Sequence, residues 1–281
     1  MPEILAGSVT IHYELSGAPD GVPLVLIHGV GAPMTAWYPS FLDLLRQSGF
    51  LLVTFDNRDA GLSSKLDDAY SLVDMSLDVL ALLDQLGIER AHLIGQSMGG
   101  MIAQELAISH PDRVLSLCSL NSAPNPEHLV NPSPADASTA TPPASSREAA
   151  IEEHIAQERI LGLDGFNEQW LAEFAANNLD RSYSPDGVQR QMQALMSAPD
   201  RTEGLRSVTV PAAVIHGRDD RDISFTGGIA TALALPNAEL HVFSNLGHQI
   251  APRYWTDFAA IIARTVQRGE LAAAPASGTI D

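Results

Sequence analysis

Lysine and cysteine are almost missing from this 281-residue chain: Lys65 and Cys118 are the sole examples. A single thiol cannot form an intramolecular disulfide, so folding calls for no oxidising compartment, and Cys118, set in "VLSLCSLNS", reads as a small buried hydrophobe. Positive charge is scarce altogether. Sixteen Lys and Arg stand against 34 Asp and Glu, a formal net charge of −18. A field of that sign repels polyanions, which argues against nucleic acid and anionic membranes as partners; the acidity itself is read as solubility. Runs of about 18 apolar residues are also missing, and "MPEILAGSVTIHYELSG" lacks a basic segment followed by an apolar one. Neither a membrane span nor an export signal is expected, and the cytoplasm is the default location.

What is present is a globular composition, 45% hydrophobic and 18% charged, in a chain long enough for one α/β domain with an insertion. "ILAGSVTIHYEL" alternates like two half-exposed strands about a turn. "VPLVLIHG", "FLLVTFDN", "AHLIGQS", "VLSLCSLN", "AAVIHG" and "ELHVFSN" are short dense apolar runs, the pattern of parallel strands buried on both faces. Helical spacing lies between them. "TAWYPSFLDLLRQSG" loses its phase at Pro39, whereas "SLVDMSLDVLALLDQLG" and "MIAQELAISHP" keep theirs and stop near Gly87 and Pro111. The alternation predicts an α/β fold with a mostly parallel, doubly wound sheet.

That rhythm fails after Ser122. The stretch 123–146, "APNPEHLVNPSPADASTATPPASS", is too polar and broken to build core and is a candidate mobile lid or linker. "REAAIEEHIAQERIL", "NEQWLAEFAANNLDRS" and "PDGVQRQMQALMSAP" then read as three helices before "VTVPAAVIHG" restores the sheet. The expected division is a core over 1–122 and 207–268, an inserted helical cap over 123–206, and a fraying tail over 269–281.

Chemistry concentrates at "GQSMGG", residues 95–100, where the strand "AHLIG" meets the helix "MIAQELAISH". Gly95, Ser97 and Gly99 make G-x-S-x-G, the pattern of a nucleophile elbow, with small residues where the backbone reverses sharply and a helix N-terminus behind the hydroxyl. A Gly-rich turn needed only for packing explains the glycines but not the hydroxyl at the tip. A serine needs a base, and the base an acid to fix its tautomer.

Of nine histidines, His248 in "SNLGHQIAP" lies in a loop after a strand and before the last helix, where catalytic loops gather. His28 precedes the serine, His12, His92, His216 and His241 lie in strand-like runs, His110 ends a helix, and His128 and His154 belong to the insertion. For the acid, "GRDDRDIS" offers Asp220, three residues after Gly217, ahead of Asp219 and Asp222. The end of "VLSLCSLNS" offers only the neutral Asn121. Two backbone donors are expected to hold a developing oxyanion: the Met98 N–H and one from the loop "HGVG", Val30 ahead of Gly31.

In this order these features resemble the α/β-hydrolase family, and the resemblance spans nearly the whole chain apart from cap and tail. "DNRDAGLSS", Asp56 to Ser64, is similar to a D-x-R-x-x-G-x-S stretch common in that family, in which Arg58 and Asp59 are read as structural. "NRD" together with "GQSMGG" is similar, more loosely, to polyketide-tailoring methyl esterases. The resemblance implies that Ser97 attacks a carbonyl, His248 shuttles the proton, Asp220 orients the ring, and water releases the acid from an acyl-enzyme. Carboxylic ester hydrolysis is the leading expectation. Carbon–carbon bond hydrolysis with the same triad stays open, as does a ligand-binding or biosynthetic protein on this fold. No H-E-x-x-H and no Cys–His cluster occurs, so neither metal nor cofactor is expected.

The expected partner is a small-molecule substrate. Trp170, Phe166, Phe174, Met192 and Met196 in the cap are candidates to line an apolar chamber for a hydrophobic or aromatic group, against the alternative that they pack cap helices on the core. Oligomeric state leaves no mark in the sequence.

Overall fold

The computed structural model describes residues 2–130, 146–160, 168–181 and 183–274. Its strands are β1 (Glu3–Ala6), β2 (Val9–Gly17), β3 (Val22–Ile27), β4 (Phe50–Phe55), β5 (Ala91–Gln96), β6 (Val114–Leu120), β7 (Ala212–Gly217) and β8 (Ala238–Phe243). They form one sheet in the order β1-β2-β4-β3-β5-β6-β7-β8. β2 runs antiparallel to β1 and β4, and the remaining pairs are parallel. The dense apolar runs have the expected cause in the centre of the sheet: every residue of β5, β6 and β7 is buried, because helices cover both faces. Within β5, Leu93 belongs to one apolar cluster and Ile94 to the other.

On one face pack α2 (Leu72–Leu86), α3 (Met98–Ser109) and α8 (Phe225–Ala234); on the other, α1 (Pro39–Gln47) and α9 (Trp255–Ala273). Local signals set the ends. Pro39 is the first residue of α1, after a short 3₁₀ turn at Met34–Ala36, so the proline that breaks the helical phase also starts the helix. Ser71 and Asp74 form a capping box on α2, and Gly87, at φ 67°, closes it. The insertion supplies α4 (Arg147–Ile160), α5 (Glu168–Arg181), α6 (Pro185–Met196) and the one-turn α7 (Thr202–Leu205).

Three expectations change, and one helix, α8, is additional to the elements expected. β8 is an edge strand whose Leu240 and Val242 are exposed; its apolar run does not mean burial on both faces, and Glu239, held by Arg264 and Arg268 of α9, places charge along that edge. α8 carried no clear amphipathic signal, because "FTGGIATALA" uses glycine for close approach: a Cβ on Gly228 would lie 2.6 Å from Nδ1 of His216. The final helix runs to Ala273, past the expected tail boundary at residue 268. Within the expected cap, residues 128–130 are bonded to the loop after β7, Val130 N–H donating to Asp222 O and Ser224 N–H to His128 O, whereas the carbonyls of Ala123 and Pro124 accept from Arg201 of the same segment. Of the candidate lid or linker 123–146, residues 131–145 lie outside the described residues.

Beneath the cap, Arg58 and Asp78 form a buried ion pair, Nε to Oδ2 and Nη2 to Oδ1, both at 2.7 Å, tying the loop after β4 to α2. Without Asp78 the mostly buried guanidinium is left with the Asp74 carbonyl and the more distant charge of the Asp74 carboxylate. Asp78→Ala should therefore destabilise the fold by about 3–5 kcal/mol, and Arg58→Met added to Asp78→Leu should recover most of the loss. Urea unfolding of the single and double variants checks this.

Candidate active site

β3 and β5 are neighbours, yet the chain leaves β3 toward β4 on one side and β5 toward β6 on the other. Loops leaving such a switch point diverge and open a crevice at the carboxyl ends of the strands. Ser97 and the loop His28–Ala32 stand there. Between β5 and α3 Ser97 is the only residue of the reversal, at φ 56° and ψ −124°, a conformation a side chain adopts only under constraint. The constraint is packing: a Cβ on Gly99 would sit 2.0 Å from the Ile27 carbonyl oxygen, and one on Gly95 2.2 Å from that of Gly99.

Asp220 follows β7 and His248 follows β8. Nδ1–H of His248 donates to Oδ2 of Asp220 at 2.8 Å, which leaves Nε2 as the basic nitrogen. Neither Asp219, which is exposed, nor Asn121 holds that ring nitrogen. Asn121 ties the loops together: its Nδ2 donates to His248 O at 2.6 Å and its Oδ1 accepts from Gly217 N–H. Gln96, next to the serine, also donates to His248 O, at 3.2 Å. The backbone of His248 is thus fastened to the ends of β5 and β6.

Asp220 is held from several sides. Its Oδ1 accepts from the N–H groups of Asp222 and Ile223, and Nε2 of His216, a buried side chain, lies 3.3 Å from Oδ2. Burial alone would raise its pKa; the charge of His248 and the hydrogen bonds from His216, His248 and Ile223 outweigh that and hold it well below the usual carboxylate range. Asp222 has a separate place. Its half-exposed carboxylate lies 4.0 Å from Nε2 of His248, and burial with the nearby charge of Asp220 raises its pKa against the pull of His248.

In the loop after β3, Gly29 N–H donates to His28 Nδ1, Gly31 N–H to Gln191 Oε1, and Ala32 N–H to Gly29 O. Val30 N–H has no acceptor among the described residues, and neither does the Met98 N–H at the start of α3. Gly31, the second choice, is already engaged.

The four apolar cap residues do not share one place. Trp170 and Phe174 stack on each other at 4.8 Å and against Tyr38, at 6.1 and 5.2 Å, on the cluster with α1 and α9. Met192 and Met196 pack on the opposite cluster, to which Val30 and Met98 belong. Phe166 lies outside the described residues.

Absent from the sequence reading are the clamps between cap and core. Arg181 grips Asp56, Arg190 grips Asp59 through both oxygens, Gln191 spans Gly31 and Arg58, and Asn178 accepts from Thr35. Asp56 and Asp59 belong to the "DNRDAGLSS" stretch, so this stretch does more than shape a loop. Partners 125 to 160 positions apart leave no local spacing to find them by.

His28, buried beside Trp37, has its pKa pushed down to about 4, mainly by burial and slightly by the charge of His248, against a backbone hydrogen bond at Ala36. Its folded-state pKa lies below its unfolded value, so its contribution is present above pH 6.5 and lost as pH falls toward 4, where only the unfolded chain takes up the proton. Going from pH 7 to pH 4.5 should cost the wild type about 2–3 kcal/mol more than a His28→Asn variant, by the linkage of proton uptake to unfolding. Urea midpoints at the two pH values measure it.

A family model described as the alpha/beta hydrolase fold matches residues 22–252. Relatives include a protein of Variovorax paradoxus provisionally named carbamate hydrolase RutD, 30% identical over 85% of this chain and 89% of its own. Another is the 2-hydroxymuconate semialdehyde hydrolase of Pseudomonas sp. CF600, 31% identical over 96% and 95%. Among solved structures, an esterase from Rhodococcus sp. ECU1013 superposes with a TM-score of 0.76 at 21% identity, covering 94% of this chain and 97% of the other.

Proposed function

The chain belongs to the α/β-hydrolase family, and we propose that it is a serine hydrolase that cleaves a neutral carboxylic ester with an apolar acyl group. Ser97 Oγ attacks the ester carbonyl carbon while Nε2 of His248 takes its proton, and the oxyanion that forms is received by the N–H groups of Val30 and Met98. The C–O bond then breaks, the alkoxide leaves with the proton from His248, and water, deprotonated by the same nitrogen, releases the acid from Ser97. Asp220 keeps the proton on Nδ1 and steadies the imidazolium.

The observation that carries this reading is a strained serine at a helix N-terminus, whose neighbour Gln96 holds the backbone of a histidine bonded to a buried carboxylate, together with two backbone N–H groups that have no acceptor among the described residues. The chain's charges support a neutral substrate. Arg181, Arg190 and Arg201, which reach the core from the cap segment, are paired with Asp56, Asp59 and Glu105, and Asp222 adds a negative group beside His248. Met192 and Met196, in the cluster shared by Val30 and Met98, support an apolar acyl group on that side; Trp170 and Phe174, stacked into Tyr38, are assigned to cap packing.

Carbon–carbon bond hydrolysis is the second reading, favoured by the 31% identical relative whose named substrate is a semialdehyde. That name denotes a carboxylate, which the paired arginines and Asp222 disfavour.

Ser97→Ala should lower kcat on p-nitrophenyl esters about 10⁴- to 10⁶-fold with the fold intact, and a fluorophosphonate should add its mass at Ser97 in the wild type alone. Butyrate and hexanoate esters should turn over faster than a succinate half-ester of the same alcohol. Faster cleavage of a vinylogous 1,5-diketone than of any ester would move the assignment to the second reading.

A further inference from the structure

Residues Gly29 to Ala32 form a hydrogen-bonded turn, Ala32 N–H to Gly29 O at 3.4 Å. Gly31, its third residue, is at φ 70°, while Val30 is not among the residues of positive φ. This is the type II pattern. Type II and type I turns differ mainly by rotation of the central peptide, here Val30–Gly31, about the bonds that flank it, so the plane stays put only if something holds it. The holder comes from the cap. Gln191, in α6, is fully buried; its Oε1 accepts the Gly31 N–H at 2.6 Å and its Nε2 donates to Arg58 O at 2.7 Å.

The contact is not confined to one side chain. Val188, one turn earlier on α6, lies so close that a Cβ on Gly31 would be 2.9 Å from its Cγ2, and a Cβ on Gly187 would be 2.7 Å from Asp59 O. Arg190, next to Gln191, grips Asp59 at 2.8 and 2.9 Å. The helix therefore rests directly on the turn, and Arg58, whose carbonyl anchors the amide, is itself fixed by Asp78.

We propose that Gln191 is a positioning residue for the oxyanion site: by holding the Gly31 N–H it fixes the Val30–Gly31 peptide, keeps the neighbouring Val30 N–H aimed into the crevice, and so makes oxyanion stabilisation depend on a seated cap. This rests on the assignment of Val30 as an oxyanion donor made above. Val30 is one of the two hinges about which a released peptide turns, so losing the amide blurs the direction of that donor. Misplacement on the ångström scale is enough to lower turnover about 10- to 100-fold. Binding of the ground-state ester, whose carbonyl oxygen carries little charge, changes less.

Gln191→Leu and Gln191→Met, the latter filling nearly the same volume without donor or acceptor, are compared with the wild type on a p-nitrophenyl ester. The expected result is kcat down about 10- to 100-fold, KM within about threefold, and a Ki for a trifluoromethyl ketone, whose serine adduct carries the oxyanion, raised by the same factor as the loss in kcat/KM. A purely structural role would lower the active fraction without changing that Ki in the folded enzyme. If both variants fail to fold, amide exchange in the wild type decides: the Gly31 N–H should be protected, and more so with the ketone bound. Full kcat in a folded variant, a rise in KM alone, an unchanged Ki, or an unprotected Gly31 amide overturns the proposal. Failure of the broader assignment looks different, since then the wild type itself is not labelled at Ser97 by a fluorophosphonate.

Discussion

The structure turns on a reversal that takes one residue. β5 ends at Gln96 and α3 begins at Met98, so Ser97 alone absorbs the change of direction, in a backbone conformation that costs about 1–3 kcal/mol and persists only where the surroundings enforce it. They do so by contact: the backbones of β3, β5 and α3 approach until no Cβ fits at Gly95 or Gly99. Local strain is thereby tied to global packing. Nothing at Ser97 can relax without separating a central strand from its helix. The same reversal leaves the Met98 N–H without an intrahelical acceptor, since the first residue of a helix has none one turn back. The strain, the serine at the tip of the turn and the helix N–H without an intrahelical acceptor are one geometric event.

A second constraint is electrostatic and joins the cap to this event. Asp56 accepts from Met34 and Leu62 N–H groups and from Arg181; Asp59 accepts from Leu66 N–H, the Tyr70 hydroxyl and Arg190. Burial would raise the pKa of Asp59, but Arg190, Leu66 and Tyr70 together lower it. Each of these carboxylates fixes core loops with part of its hydrogen-bonding capacity and the cap with the rest, so the mouth of the crevice is set by the groups that shape its floor. Lys65, the lone lysine, completes the loop by donating to the carbonyls of Ala60, Gly61 and Ser63.

Legibility in the sequence followed the range of the interaction. The strands of the sheet centre were readable because burial on both faces is written into consecutive residues, and the serine turn because steric demand places glycines at fixed offsets. That Asp220, rather than Asp219 or Asp222, bonds the histidine ring followed from its distance after the strand. Edge position was not readable: β8 is as apolar as its neighbours, and only the sheet order exposes one of its faces. α8 was missed because its glycines serve close approach to His216 instead of an amphipathic face. The cap clamps were invisible for a third reason, since a single Gln or Arg on a helix has no pattern; its meaning lies in a carbonyl or N–H over a hundred residues away.

The molecule also contains a control on arguing from residue types alone. Nδ1 of His92 lies 2.7 Å from Ser116 Oγ, and Nε2 lies 3.1 Å from a carboxylate oxygen of Glu270, a serine, a histidine and an acid in hydrogen-bonding order. Yet Ser116 and His92 are both fully buried, near the amino ends of β6 and β5, where no substrate carbonyl can approach. No strained turn carries that serine, and no helix starts behind it. The imidazole holds Ser116 on one side and the last helix, through Glu270, on the other, and burial lowers its pKa more than Glu270 restores it. The same three residue types thus cross-link a helix to a sheet at one end and, as Ser97, His248 and Asp220, stand in loops at the carboxyl ends of the strands at the other. What separates the two is the strained turn, the backbone N–H groups without acceptors among the described residues, and the loops diverging between β3 and β5, none of which belongs to the side chains themselves.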